Sequence, residues 1–157
     1  MRTIEIVKVQ SFPAIVPANS LYVSYQIHFR LGAPLTLKIG KLGIHNLPAG
    51  NYVYTGSAKR NIRARVLRHL TGARKKHWHI DYLLADPGIS FTRIVLSEIS
   101  ECKLNTGTDG RIIVPRFGST DCGEGCGSHL KLVDENRSTK RQSQTKDNPF
   151  RKALRKP

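Results

Sequence analysis

Residues 50–70 read GNYVYTGSAKRNIRARVLRHL, and two periodicities meet there. Tyr52, Val53 and Tyr54 are aromatic or β-branched and predict a short strand ending at Gly56. Ile62, Val66, Leu67 and Leu70 then recur at helical spacing, with Arg and Lys on the other face. Ser57 is the expected N-cap of a helix over 58–70, and Thr71-Gly72 its expected end.

Upstream, Ile4, Ile6 and Val9 alternate as an opening strand, and Pro13 and Pro17 punctuate a connector. The segment 21–29, LYVSYQIHF, predicts a second strand. Gly32 and Pro34 turn the chain, and 35–39 is expected to return as its hairpin partner. Pro48 begins another turn, through 48–51. Downstream, 78–85 (WHIDYLLA) predicts a second helix, broken by Asp86-Pro87-Gly88. Residues 91–96 read as a strand, 98–104 as a short helix and 105–111 as a loop. The expected fold is α+β: a small mixed or antiparallel β-sheet flanked by helices. From Asp134 the chain is charged and poor in apolar residues, so a domain over 1–133 is followed by an expected disordered basic tail, 134–157.

The 157 residues include 26 Lys+Arg against 11 Asp+Glu, a formal net charge of +15. Such a balance predicts a polyanionic partner, with nucleic acid ahead of an anionic membrane surface. No apolar run of about 18 residues is present to span a bilayer, and residues 1–3 lead straight into alternation rather than an apolar leader. Three cysteines do not make a disulfide framework, which predicts a cytosolic protein whose thiols are reduced, buried or metal-bound.

No acidic residue lies between Lys59 and Lys76. Lys59, Arg60, Arg63, Arg68, Arg74, Lys75 and Lys76 are therefore candidate nucleic-acid contacts. Arg65, Arg68 and His69, at i, i+3 and i+4, are expected to share one phosphate-facing helix face. Tyr22, Tyr25, Tyr52 and Tyr54 precede this helix. A tyrosine opposite arginines favours its phenolate, which takes a proton from water or attacks phosphorus; otherwise such tyrosines pack a sheet.

Tyr54-Thr55-Gly56, Ser57-Ala58, then Asn61-Ile62, Arg65 and His69 resemble the second half of a GIY-YIG nuclease domain, with Ser20-Leu21-Tyr22 as the first half. The chain looks closest to a small branch of that superfamily long labelled a domain of unknown function, whose members occur alone or fused to an endonuclease III domain. GNYVYTGSA (50–58), RARVLRHL (63–70), KKHWHIDYLL (75–84), SECKL (100–104) and FGSTDCGEGCGSHL (117–130) carry the resemblance, over about 18–131. It implies a DNA endonuclease of repair or processing that uses one Mg²⁺ or Mn²⁺. Tyr22 and Tyr54 would be the signature tyrosines, with Tyr25 in place of Tyr22 if the register differs. Arg65 would stabilise the phosphorane charge, with His69 beside it, and Gly56 would let the backbone approach the substrate. Glu101, or else Glu98, would hold the cation. Ser20 stands where the superfamily has glycine, Thr55 replaces an apolar residue, and the tyrosines are 32 positions apart, the gap being filled by 31–49. The alternatives are a DNA- or RNA-binding module on the same scaffold, and a zinc-stabilised RNA-associated protein.

Cys122, Cys126 and His129 follow Asp121 in a glycine-rich loop, and with Cys102 they would complete a tetrahedral Zn²⁺ site. His77 and His79 are spare ligands, and buried reduced thiols the alternative. Asp121 is a second candidate ligand for the active-site cation. Trp78 is expected in the core, and Asp81 is expected to orient His69 or one of the histidines flanking Trp78. The tail would add non-specific phosphate contacts.

Overall fold

The computed structural model describes residues 2–16, 20–72 and 75–134. Its strands are β1 (Thr3–Ile6), β2 (Ser24–Leu31), β3 (Leu35–Lys38), β4 (Ile44–Leu47), β5 (Gly50–Ser57), β6 (Ile89–Ser97) and β7 (Leu130–Val133). Its helices are α1 (Phe12–Ile15), α2 (Ile62–Thr71), α3 (His79–Leu84) and α4 (Glu101–Thr106). The fold is α+β, as the residue pattern predicts. Five strands form one sheet in the order β1-β6-β2-β5-β7, and all four pairings are antiparallel.

The expected hairpin between 21–29 and 35–39 is not made. β3 pairs instead with β4 in a separate two-stranded ribbon, and β2 lies between β5 and β6. A tight turn brings together the nearest apolar runs in sequence, but β2 is aromatic and β-branched on its core face and finds longer partners in β5 and β6. Tyr25, Ile27, Phe29 and Leu31 alternate onto one face of β2, opposite Gly56, Tyr54, Tyr52 and Gly50 of β5. They join Ile62 and Val66 of α2, Ile80 and Leu83 of α3, and Ile39 and Leu47 of the ribbon in one core. The other face of β2 is polar: Gln26 donates to Thr55 and Thr108, and His28 lies beside Arg93.

Local chemistry moves two predicted boundaries. Ser57 is not a cap but the last residue of β5, because the strand continues past Gly56. Asn61 caps α2 instead: it takes a left-handed backbone (φ 48°), which asparagine tolerates, and its side chain accepts from Ala64 N–H. β7 has no counterpart in the sequence reading. It is four residues long, too short for alternation to stand out, and it lies between β5 and a single antiparallel bridge from Leu132 to Arg111. The tail from residue 135 and Arg74 lie outside the described residues.

Candidate functional site

A cleft of about 640 Å³ opens beside the end of the central strands. Tyr25 of β2, Tyr54 of β5, Arg65 of α2, His79 of α3 and Glu101 of α4 line it, together with Trp78 and the loop from Gly118 to Glu124. Sheet register brings the phenols together: Tyr25 pairs with Gly56, and Ile27 with Tyr54, so both rings lie on one face. Their centroids are 6.3 Å apart. Tyr22 does not line this cleft. It packs half-buried against the core, three residues before Tyr25, so it is Tyr25 that meets Tyr54.

Gly56 has a different reason from the expected one. A Cβ there would run into the Tyr25 ring and hydroxyl, so the glycine makes room for Tyr25 rather than for a substrate.

Behind the phenols, Tyr25 Oη is 2.8 Å from His69 Nε2. Burial lowers the His69 pKa to about 4, partly offset by Asp81, so the ring is neutral near pH 7. Tyr25 therefore donates to Nε2, and the ring proton sits on Nδ1, 3.6 Å from Asp81 Oδ1. That separation exceeds a hydrogen bond, but the field of the Asp81 carboxylate still acts on the ring. Burial holds both phenols above the ordinary tyrosine range: Tyr25 with the field of Tyr54 added, Tyr54 with that of Glu101 added.

Asp81 is the hub of the helix side. It accepts Arg68 Nη1 and Nη2 at 2.9 and 3.0 Å, His77 N–H at 2.8 Å and Trp78 N–H at 2.9 Å. Burial raises its pKa, but these donors together outweigh burial and hold it below the usual carboxylate value. Arg68 is thus tied to Asp81 and to the Lys75 carbonyl, not free for phosphate. His69 is 2% exposed. The expected triplet face therefore does not exist, and of its members only Arg65 reaches the cleft with its cation. Arg65 Nη1 donates to the Ser57 carbonyl at 2.7 Å, and its guanidinium lies 4.8 Å from the Trp78 ring centroid. Arg68 stacks on the same ring at 4.4 Å, so Trp78, half-buried and packed against the core as expected, also serves as a platform for both arginines.

Lys59, Arg60 and Lys75 are exposed, Arg63 is half-buried, and Lys76 lies over the Tyr82 ring. None of these lines the cleft. Glu98, the alternative carboxylate, accepts Arg2 N–H at the sheet edge.

Beside Glu101, Cys102, Cys122, Cys126 and His129 offer ligand atoms that all lie within 4.8 Å of one another. This is the set the spacing singled out, and it can hold a metal ion. Cys102 and Cys122 sulfurs are 3.5 Å apart. Backbone N–H groups of Cys126 and Glu124 lower the Cys122 pKa to about 6, while burial raises that of Cys102. His129 donates from Nδ1 to Glu101 Oε1 at 2.9 Å, and its buried Nε2 has no hydrogen-bond partner. Burial lowers the His129 pKa, but Glu101 and the thiols outweigh it and raise the value to about 9. His79 is not part of this cluster: its Nδ1 accepts Gly118 N–H at 2.9 Å. His77 is exposed, edge-on to Trp78.

The molecule is thus a small α+β domain with a polar cleft at the end of an antiparallel sheet and a Cys₃His cluster at the cleft's rim. Residues 24–151 match the family model of the domain of unknown function DUF123, and the chain belongs to that family. No curated protein and no solved structure matches it. Among the described residues no helix is long and apolar enough to cross a membrane.

Proposed function

We propose that this chain is a divalent-metal-dependent DNA endonuclease of the GIY-YIG type, acting in repair or processing. One observation carries the reading: two phenols, a guanidinium and a carboxylate, from four separate elements, face the same cleft. Composition did not require that convergence, and phosphodiester hydrolysis uses each group. Arg65, already held by the Ser57 carbonyl and Trp78, supplies a preorganised positive charge for the phosphoryl oxygens. Tyr54 and Tyr25 position the attacking water; as the water attacks phosphorus, its proton passes to Tyr25 Oη while the phenol's own proton passes to His69 Nε2, which already accepts that hydroxyl, and the departing alkoxide takes a proton from solvent. Asp81 stabilises the imidazolium that results.

Glu101 fits a hard cation, because its carboxylate is a quarter exposed and lines the cleft, and such a cation keeps most of its waters. Bound there, Mg²⁺ or Mn²⁺ would polarise the phosphoryl oxygens and acidify water. Zn²⁺ is the metal we assign to the Cys₃His cluster, since thiolates and imidazole select it. The exposed lysines and arginines would contact the backbone of the DNA.

A second reading, a nucleic-acid-binding module without chemistry, is favoured by the burial that keeps both phenols protonated near neutral pH. Cleavage of a labelled DNA panel with Mg²⁺, Mn²⁺ or EDTA, beside Arg65→Ala and Tyr54→Phe, separates the two. Metal-dependent cutting lost in both variants supports the nuclease. Tight salt-sensitive binding without cutting in any metal supports the module.

A further inference from the structure

We infer that the Cys102, Cys122, Cys126 and His129 cluster is a zinc site that positions Glu101 in the cleft through the far nitrogen of its own imidazole ligand. The part played by Glu101 rests on the nuclease reading; the zinc site and its link to Glu101 do not.

Three observations support it. The ligand atoms lie within 4.8 Å of one another, and the Cys102 and Cys122 sulfurs are 3.5 Å apart. Tetrahedral Zn²⁺ with Zn–S of about 2.3 Å and Zn–N of about 2.0 Å needs ligand–ligand edges of about 3.5–3.8 Å, so small side-chain adjustments close the site. His129 is 2% exposed, and its Nε2 is a buried polar atom with no partner. Leaving such an atom unpaired is costly unless something coordinates it, and with Nδ1 taken by Glu101, Nε2 is the nitrogen left for the metal. Finally, Glu101 and Cys102 are consecutive in the first turn of α4. One turn therefore carries both a metal ligand and the cleft carboxylate, and His129 bridges them from β7's edge. A carboxylate on the second nitrogen of a metal-bound histidine fixes ring orientation and strengthens the ligand. By the same bond, the anchored ring fixes the carboxylate.

The test uses the full chain, purified without chelators. Elemental analysis should find one zinc per chain, and Co²⁺ in its place should show the visible bands of a tetrahedral thiolate site. Chelator competition should then give Glu101→Ala a zinc affinity about tenfold or more below wild type, with far-UV circular dichroism unchanged and Glu98→Ala like wild type. Absence of bound zinc and of cobalt bands overturns the site; equal zinc affinity in Glu101→Ala overturns the link. His129→Cys provides a second arm that does not depend on the protein folding without metal. It should keep cobalt bands, shifted to those of four thiolates, while Mn²⁺ binding followed by electron paramagnetic resonance weakens at least about tenfold. Wild-type Mn²⁺ binding in His129→Cys overturns the positioning role. Zinc bound with the Glu101 link intact, but no Mn²⁺ binding and no cutting, sinks the nuclease reading alone.

Discussion

Replacing Asp81 with alanine removes four acceptor interactions at once. Charge-assisted hydrogen bonds contribute about 1.5–3 kcal/mol each when buried. The Asp81 side chain is 1% exposed, but that of Arg68 is 30% exposed, so solvent screens the bidentate pair and it contributes about 1–2 kcal/mol in all. The two backbone bonds start α3 in the manner of a cap, at about 1 kcal/mol each. The expected loss is therefore about 3 kcal/mol, which for a chain of this size lowers Tm by roughly 6–12 °C. Urea denaturation of Asp81→Ala, Arg68→Ala and the double variant measures it. The double variant should recover about 1–2 kcal/mol relative to the sum of the single losses, because among the described residues Arg68 pairs with the Asp81 carboxylate alone. A loss under about 1 kcal/mol for Asp81→Ala, or strict additivity in the cycle, would refute the assignment of Asp81 as the hub.

Gly56→Ala should cost about 1–3 kcal/mol, because its methyl displaces the Tyr25 ring from a packed site; a variant with wild-type stability and an unshifted Tyr25 hydroxyl resonance would contradict this. The pKa of His28 is lowered to about 3, first by burial and then by Arg93, while in the unfolded chain it is near 6.5. The unfolded state therefore binds more protons below pH 6.5, and stability falls as pH drops from about 6.5 towards 3, by about 2–3 kcal/mol at pH 4.5. Replacing His28 by glutamine should flatten that limb in denaturation midpoints measured across pH, and an unchanged slope would remove His28 as its source. Arg65→Ala should abolish DNA cutting with the fold kept, whereas Arg68→Ala should lower Tm and leave the salt dependence of DNA binding close to wild type. A reduced salt slope in Arg68→Ala would mean that this arginine meets phosphate after all.

The elements were legible where side-chain periodicity was long. Tyr52 to Tyr54, the stripe of Ile62 and Val66, and the WHIDYLL helix all form near their expected places, and the Cys₃His set was visible in spacing alone. Pairing was not legible: nothing local tells 35–39 that β2 will take both β5 and β6. The Tyr22 expectation failed to meet Tyr54 for a related reason. Tyr22 lies before β2 begins, so strand pairing does not carry it into the cleft, and only the β2–β5 register shows that Tyr25 opposes Gly56. Asp81 as acceptor of Arg68 was also hidden, since the two are 13 residues apart across an interhelical turn. The same separation made Arg68 look like a free surface cation.

The ribbon of β3 and β4 has a consequence for how the chain tolerates change. Both phenols sit on strands paired directly with each other, while the strand ladder of the excursion between them runs only between β3 and β4. The alignment of the two phenols rests on the β2–β5 ladder: residues could be added beside exposed Lys41 without altering it, provided Ile39 and Leu42 keep their places on the core. Sequence distance between the tyrosines is therefore a poor guide to membership in this architecture. The tip of the ribbon is the natural place to splice in a tag or a second recognition module while leaving the cleft as it is.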